Sequence, residues 1–590
     1  MSIVGLDKVT IIGHRDNKDS VFEGLQALGC LHLIPLTAEG QASPSSGPSK
    51  DAQEALHFLA RTSHQRRQVT DPKRFDAVAL EQQALDLQRR LYKLRNRRDF
   101  LSTRIDNLAP WGDFEFPHRD QLGGQRFWFF QVPHHEMKHV EKSGLLWEVV
   151  DRDARFFYVI VVSADEPEGM PVARVHAGAR SRNALLDELE KIELELEDVE
   201  AERTSLTRWC TLFARALDGL EDRAARTRAA SQTAEAEPVY ALQAWIPHNR
   251  MDALRAYAKE STLAIESTMP EEGEQPPTLF RNAAPMRAGE DLVAFYMTPS
   301  YWLWDPSSVV FLSFALFFAM IVADAGYALL LAGIVILYRK RLAASAAGRR
   351  WRVMLSVLAG ATAVYGMLAG SYFGVTPPED SPLSLLHVLD LGDFTVMMTL
   401  SVIIGASHIS YACLMDGLRY LHWPQRLPPF GWAGAVLGGL FAWLGMQFEI
   451  PRLQEGGIAI FLAGLVLVVA FSGYGEKPLA RIFKGVTALA GISGAFGDVL
   501  SYLRLFALGL ASASLAMAFN DMAKDVHQAI PGIGFLFGLL ILLLGHALNF
   551  LLSVSSGFIH GLRLNVIEFF KWGVKDEGNP YRPFERKESI

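Results

Sequence analysis

Arg504 stands inside the apolar stretch Val486–Phe519, in the string Ser-Tyr-Leu-Arg-Leu-Phe-Ala-Leu-Gly-Leu-Ala. An arginine at a bilayer centre costs roughly 2.5–3.5 kcal/mol on insertion scales. Guanidinium cannot shed its proton, because its pKa stays above about 12. A charge kept there is expected to act on a carboxylate that moves past it. Arg563 lies in a second long apolar stretch, in His560-Gly-Leu-Arg-Leu-Asn-Val-Ile-Glu568. Asp498 precedes Arg504 by six residues and Glu568 follows Arg563 by five. Either acid could neutralise one of the arginines or lie at the water interface, since ionisable residues at such depth face a bundle interior or an aqueous cavity. His408, inside another apolar run, is expected in a core hydrogen bond or on a proton path. Asp324 interrupts the first apolar stretch and reads as a cap at a helix break.

These groups need a scaffold, and the 590 residues divide unevenly to supply it. Up to about Ala294 the chain is charged and water-compatible; from Ser307 long apolar runs alternate with short polar loops. A soluble half therefore precedes a polytopic membrane half. The net charge of −7 comes with no long basic block, so nucleic acid is not an expected partner. The three cysteines, Cys30, Cys210 and Cys413, are far apart and odd in number, which indicates neither a disulfide framework nor a metal site. His134-His135 reads as a surface pair, with no companion acid or cysteine pattern. No phosphate-binding Gly-x-x-x-x-Gly-Lys-Ser/Thr string and no dinucleotide-binding Gly-x-Gly-x-x-Gly occurs, so no nucleotide site, metal or cofactor is expected. The first residues lack an apolar signal region, which puts the soluble half in the cytoplasm.

In the soluble half, residues 1–36 read as a small βαβ-type unit and Ala42–Lys50 as a linker rich in Ser, Pro and Gly. Leu80, Ala84, Leu87, Leu91, Leu94, Arg98, Leu101, Ile105 and Leu108 form a heptad series. A second series runs from Leu185 through Leu196, Arg203 and Phe213 to Leu220. Repeats of 3.5 residues make coiled-coil seams. Arg98 and Arg203 are expected to snorkel at the seam edge. The economical arrangement is an antiparallel two-helix arm of about 50 Å, at 1.5 Å per residue. The expected boundaries are arms over 50–110 and 180–229, a distal α/β lobe over 111–179 with strands at Arg126–Gln131 and Phe156–Val162, and a proximal lobe from 1–48 and 230–290.

Loop charges set the topology. Arg339–Arg352, Met415–Phe430, Gly475–Gly485 and the tail with Lys571, Lys575, Arg582, Arg586 and Lys587 are basic and belong inside; the acidic Val375–Asp393 belongs outside. Ser307–Tyr338 must then cross twice, breaking near Asp324. The remaining runs are Val353–Phe373, Phe394–Leu414, Gly431–Met446, Ile458–Tyr474, Val486–Phe519 and Pro531–Trp572. The fold expected is mostly α: a cytoplasmic arm domain over 1–300 and a membrane domain over 301–590. That domain has about eight helices, both chain ends cytoplasmic, and the last two helices long and tilted.

The string Gly497-Asp-Val-Leu-Ser-Tyr-Leu-Arg-Leu-Phe-Ala-Leu-Gly-Leu-Ala511 resembles the penultimate-helix signature of the a/I subunits of V-type and A-type rotary ATPases. His560–Phe570 with Asn579-Pro-Tyr-Arg-Pro-Phe584 resembles the last-helix signature of that family. Trp304-Asp-Pro306, Gly370-Ser-Tyr-Phe-Gly374 and Ala241-Leu-Gln-Ala-Trp-Ile-Pro247 match further elements, in order, over nearly the whole chain. The resemblance implies a non-catalytic stator subunit in a prokaryotic plasma membrane. Arg504, assisted by Arg563, would face a ring of proteolipid carboxylates between two half-channels that carry H⁺ or Na⁺. Asp498, Ser501, His560, Glu568 and His408 become candidate half-channel residues. The implied partners are that proteolipid ring, E/G-type peripheral stalks, a d/C-type central-stalk subunit and the lipid bilayer. Two positions depart from the family: Ala323-Asp-Ala-Gly-Tyr-Ala328 is bulkier than its Gly-Asp-x-Gly-Tyr-Gly, and Ser553 stands where some members carry glutamate. The rival readings are a secondary ion transporter with a cytoplasmic regulatory domain, for which no clear internal repeat is seen, and a membrane scaffold, which has no use for Arg504.

Overall fold

The computed structural model describes residues 2–37, 47–113, 122–175, 180–271 and 273–587. Residues 42–46 of the expected linker, and 114–121 and 176–179 of the expected distal lobe, lie outside the described residues. The strands are β1 (Leu6–His14), β2 (His32–Ile34), β3 (Arg126–Pro133), β4 (Leu146–Arg152), β5 (Phe156–Ser163), β6 (Arg174–Val175), β7 (Ala234–Ala236), β8 (Val239–Pro247) and β9 (Ala264–Thr268). Helices of the soluble half are α1 (Lys18–Leu28), α2 (Lys50–Ala60), α3 (Ala77–Leu108), α4 (Met137–Glu141), α5 (Arg182–Leu206), α6 (Cys210–Ser231), α7 (Met251–Glu260) and α8 (Arg287–Tyr296). Then follow α9 (Ser307–Val322), α10 (Ala325–Ala343), α11 (Ala346–Leu368), α12 (Phe394–Leu418), α13 (Trp423–Gln447) and α14 (Pro451–Phe471). The last are α15 (Pro478–Ala488), α16 (Gly491–Leu500), α17 (Leu503–Ala529), α18 (Gly534–Arg563) and α19 (Phe570–Gly573). The chain divides into two compact units, one of Arg15–Gly29, Pro35–Glu235 and Phe584–Ile590, the other of the remainder.

In the first unit α3 and α5 run antiparallel. Leu87 and Leu91 meet Leu196 and Val199, and Leu101, Ile105 and Leu108 cluster with Leu185 at the far end. The stretch 50–110 is not one arm helix, which corrects the expectation. α2 stops at Ala60, and α3 begins only where the Asp76 carboxylate accepts hydrogen bonds from the amides of Val78 and Ala79. Pro72 and the caps Asp71 and Asp76 make continuation through this segment unfavourable. α2 instead packs Ala52, Ala55 and Leu59 beside Leu80, Ala84, Phe213 and Leu217. Arg98 is exposed and pairs with Asp99 at 2.7 Å, as a snorkelling residue does. Arg203 does not snorkel: its guanidinium lies 4.2 Å over the Phe58 ring and donates to the Phe58 carbonyl. Beyond the helices, β4–β5–β3–β6 form an antiparallel sheet. Trp111 meets Phe129 and Tyr158 edge-on at 5.1 and 5.3 Å.

In the second unit β8 sits between β1 and β2 and is antiparallel to both, in the order β2–β8–β1–β9. The two strands expected to pair in a βαβ unit are thus parallel but separated. The segment 577–582 is stitched to this region. Its Asn579 carbonyl accepts from the Thr278 amide at 2.7 Å, the Tyr581 hydroxyl donates to the Cys30 carbonyl at 2.6 Å, and the Arg582 amide donates to His32 Nδ1 at 2.9 Å.

Six stretches among the described residues are long and apolar enough to cross a membrane: α11, α12, α13, α14, Leu479–Ala529 and Gly534–Gly573. The first hairpin does not qualify by length and composition. α9 has 16 residues, and α10 ends in Arg339, Lys340 and Arg341. Between them Ala323 takes a left-handed φ of 50°. Asp324 caps α10 on the Tyr327 amide at 3.0 Å and also holds Ser371 and the amides of Phe373 and Gly374. α13 and α14 pack through glycines spaced by seven, Gly431, Gly438 and Gly445 against Gly457 and Gly464. A Cβ on Gly438 would sit 2.8 Å from the Gly457 carbonyl oxygen. Small residues let membrane helices approach this closely.

The penultimate run is not a single long helix. Val486–Phe519 is divided among α15, α16 and α17, joined at 489–490 and 501–502 by tight i→i+3 bonds, Ala490 to Thr487 and Tyr502 to Val499. Glycines at 491, 494 and 497 weaken the helix between the joints. α18, at 30 residues, is long as expected, about 45 Å at 1.5 Å per residue.

Candidate ion-translocation site

The joint at Ser501–Tyr502 puts Arg504 in the first turn of α17. Tyr502 anchors the joint: its ring is fully buried against Gly405 of α12, where a Cβ would come 2.6 Å from the ring. Its hydroxyl meets His408 Nδ1 at 2.8 Å. On the facing helix, α18 gives way directly after Arg563 to a π-helix over Leu564–Phe569. Short π segments inside α-helices concentrate at functional sites, and i→i+5 bonding stacks residues five apart. Glu568 follows Arg563 by five and is turned inward, 3 % exposed. Asn565 holds the transition by donating to the Gly561 carbonyl at 3.0 Å and accepting from Ser313 at 2.5 Å.

The outcome is two cations over one anion. Arg504 Nη1 lies 3.9 Å and Arg563 Nε 3.8 Å from the same Glu568 Oε1. Both distances exceed hydrogen-bonding range. The other oxygen, Glu568 Oε2, and Arg504 Nη1 have no hydrogen-bond partner among the described residues. At about 4 Å and an effective dielectric of ~20, each attraction is worth about 4 kcal/mol. Arg504 therefore has a carboxylate beside it within its own chain, yet its guanidinium is not fully engaged.

The other sequence candidates separate into those near this group and those turned from it. His408 stacks on Phe569 at 4.2 Å, next to Glu568, and its Nε2 has no partner among the described residues. His560, one turn before Arg563, has an Nδ1 with no hydrogen-bond partner among the described residues. Asp498 is engaged elsewhere: Lys571 Nζ donates to its Oδ2 at 2.7 Å and Trp572 Nε1 at 2.8 Å. Ser501 donates only to the Gly497 carbonyl of its own helix.

Sequence reading missed Asp416. It is wholly buried at the end of α12, 2.7 Å from Lys575 and 2.8 Å from Arg419, which also holds Asp576 at 2.6 Å. A cavity of about 340 Å³ opens beside it, lined by Cys413, Tyr420, Trp432 and Trp572 among others. The Asp416–Arg419 spacing of three was the available signal, since it places both on one helix face.

No protein-family model matches the chain. It is 28% identical over 442 residues to the A-type ATP synthase subunit I of Methanocaldococcus jannaschii, covering 67% of this chain and 63% of that protein. It is 26% identical over 562 residues to the V-type ATP synthase subunit I of Chlamydia pneumoniae, covering 82% and 81%. With the V-type ATP synthase subunit I 1 of Treponema pallidum the identity is 31% over 379 residues, 60% of each chain. The match thus spans less than two thirds of the Methanocaldococcus and Treponema proteins. The six apolar spans and these relatives make this a membrane protein.

Proposed function

We propose that this chain, a homologue of the subunit I proteins of V-type and A-type ATP synthases, is the static ion-translocating subunit of a rotary ATPase. The observation that carries the reading is the incompletely paired Arg504, held at a helix joint beside Arg563 and Glu568. A carboxylate borne past on a proteolipid ring would meet Arg504 and be kept ionised between an inner and an outer ion path. Asp416, Asp498 and the cavity lined by Trp572 suit the inner path, and His408 meets the Tyr502 hydroxyl and stacks on Phe569, beside Glu568. α9 and α10 complete eight passes with both chain ends cytoplasmic. The α3–α5 pair acts as an arm that peripheral stalks grip against torque, while the central stalk turns with the ring. One ion crossing 100 mV is worth about 2.3 kcal/mol, so several must be coupled through rotation to each ATP.

Arg504→Ala and Arg504→Lys in the purified complex, reconstituted into vesicles, test this. ATP-driven ion uptake is expected to fall at least 100-fold with alanine and at least tenfold with lysine, which loses the planar fork. Unchanged uptake in both variants would remove the assignment.

A further inference from the structure

Two chambers meet at Trp432, and they differ in character. One is the cavity of about 340 Å³ beside Asp416, whose walls also include Gln425, Phe471 and Tyr474. The other is an apolar cavity of about 970 Å³ between α12, α13, α14 and the stretch from the 489–490 joint through α16. Trp432 lines both, and its ring packs on Trp572 at 5.3 Å. Along α13 the larger cavity runs from Trp432 to Trp443, about 16 Å at 1.5 Å per residue. Among the described residues, Ser493 and these two tryptophans are its only lining side chains with an N–H or O–H group, and none that lines it is charged. An ion has no foothold there.

Protein interiors pack to the density of organic crystals, so a space of this size calls for an occupant. Apolar cavities exclude water and take apolar guests. Its volume stands at the upper end of the roughly 300–1,000 Å³ of ordinary ligand sites. It lies between membrane-spanning helices, where the guest at hand is a lipid acyl chain.

The smaller chamber indicates which lipid. It lies where α12 ends, α13 begins and α14 ends, among basic loops. Arg419 and Lys575 are neutralised there by Asp416 and Asp576, and Lys484 by Glu476. Three cations are left over. Arg426, next to Gln425, donates to the Tyr420 carbonyl; Arg481 donates to the Ala470 carbonyl and lies 5.4 Å over the Phe471 ring; Lys477 stands at the start of α15. None of the three meets a carboxylate among the described residues. α15 itself has 11 residues, too few to cross a bilayer. Leu479, Ile482, Phe483 and Val486 form one exposed apolar stripe on it, with Lys477, Arg481 and Lys484 on the other side. That is the pattern of a helix lying in the headgroup plane. Basic pockets between membrane helices at such a face hold the head groups of anionic lipids. We propose that the paired chambers bind an anionic phospholipid, its acyl chain laid along α13 and its phosphate beside Arg426, Lys477 and Arg481. Such a lipid is held whether or not Arg504 meets a moving carboxylate, and it sets the spacing of the α13–α14 hairpin from α16.

The test is made on the purified complex, washed in detergent until exterior lipid has exchanged away and then extracted for lipid mass spectrometry. Anionic phospholipid is expected to be enriched at least tenfold over its share of the source membrane. Gly439→Leu with Ala490→Leu fills the larger cavity from two walls; a Cβ on Gly439 meets only Phe461, at 3.8 Å. This pair is expected to retain at least tenfold less lipid, and Gly456→Leu, which meets open space, to retain as much as the unaltered chain. Arg426→Gln with Lys477→Gln is expected to lower the preference for anionic over zwitterionic lipid at least fivefold. A phosphatidylglycerol with a photoactivatable acyl chain tests the unaltered chain, should the filled variant fail to assemble. Its label is expected on 398–406 and 432–443, and phosphatidylcholine with the same acyl chain is expected to label them at least threefold less. Lipid retained in membrane proportions, retention unchanged by the filling pair, preference unchanged by the glutamine pair, or equal labelling by the two lipids each overturn the proposal. So does label confined to the exterior of α18 or to other subunits.

Discussion

Glu568 is pulled by two guanidinium groups and closely bonded to neither. On the proposed function, such a carboxylate would compete with one borne past Arg504 and so limit how tightly the passing one is held. Glu568→Gln removes that competitor while nearly keeping the shape. ATP-driven ion uptake and ATP hydrolysis by the coupled complex are expected to slow at least threefold, because the incoming carboxylate is released late; Glu568→Asp is expected to recover part of the loss. Equal rates for wild type and glutamine variant would remove Glu568 from the cycle. The arginines were legible in the sequence because a charge inside an apolar run stands out without any structure. Their sharing of Glu568 was not, since five residues on a regular α-helix point well apart and only the π segment stacks them. Asp498 lies six residues before Arg504, and its bonds to Lys571 and Trp572 depend on a different element altogether.

Whole elements follow periodicity where nothing interrupts it. Leu87 and Leu91 of α3 cluster with Leu196 and Val199 of α5, positions that stand in the two heptad series. The 61–76 segment is polar, with Val69 and Phe75 its apolar side chains besides Pro72, and Pro72 with the aspartate caps marks the break between α2 and α3. Across the pair, hydrogen bonding from Arg97 holds the Glu188 carboxyl below the ordinary glutamate range, with Arg180 adding to it. A lowered pKa means stability that is present above the unfolded value of about 4.3 and lost as pH falls through the folded one. Hydrogen exchange in α3 and α5 is expected to accelerate below about pH 4, and Glu188→Gln to flatten that dependence; an identical profile would show Glu188 to be idle. In the membrane half, the seven-residue glycine spacing of α13 and α14 was readable but was not read. Gly438→Leu would drive a side chain into the Gly457 and Phe461 backbone. Overpacking costs about 1–3 kcal/mol, so the thermal midpoint of the detergent-solubilised chain is expected to drop by several degrees, whereas Gly456→Leu, which meets open space, is expected to leave it unchanged.

At the scale of the whole molecule, hydropathy divides the chain near residue 300, but the compact units do not follow that line. The sheet of β1, β2, β8 and β9 belongs with the membrane helices, because distant segments close onto it. Composition cannot show such closure. Six stretches among the described residues qualify by length and composition, and the proposal that α9 and α10 add two passes rests on the basic loop Arg339–Arg352. A protease site inserted between Ala344 and Ser345 is expected to be cut from the same face as the soluble half, and one between Pro382 and Leu383 only from the other. Cutting of both from one face would reduce the count of passes.

The stitching of segment 577–582 to Cys30, His32 and Thr278 has a consequence in time. Tyr581 bonds a residue 551 positions earlier, and synthesis delivers N-terminal parts first. The Cys30 carbonyl, His32 Nδ1 and the Thr278 amide therefore stay without these partners until residues 577–582 have been made. Closure of this region is thus a late event, made only after the helices between Cys30 and Tyr581 exist.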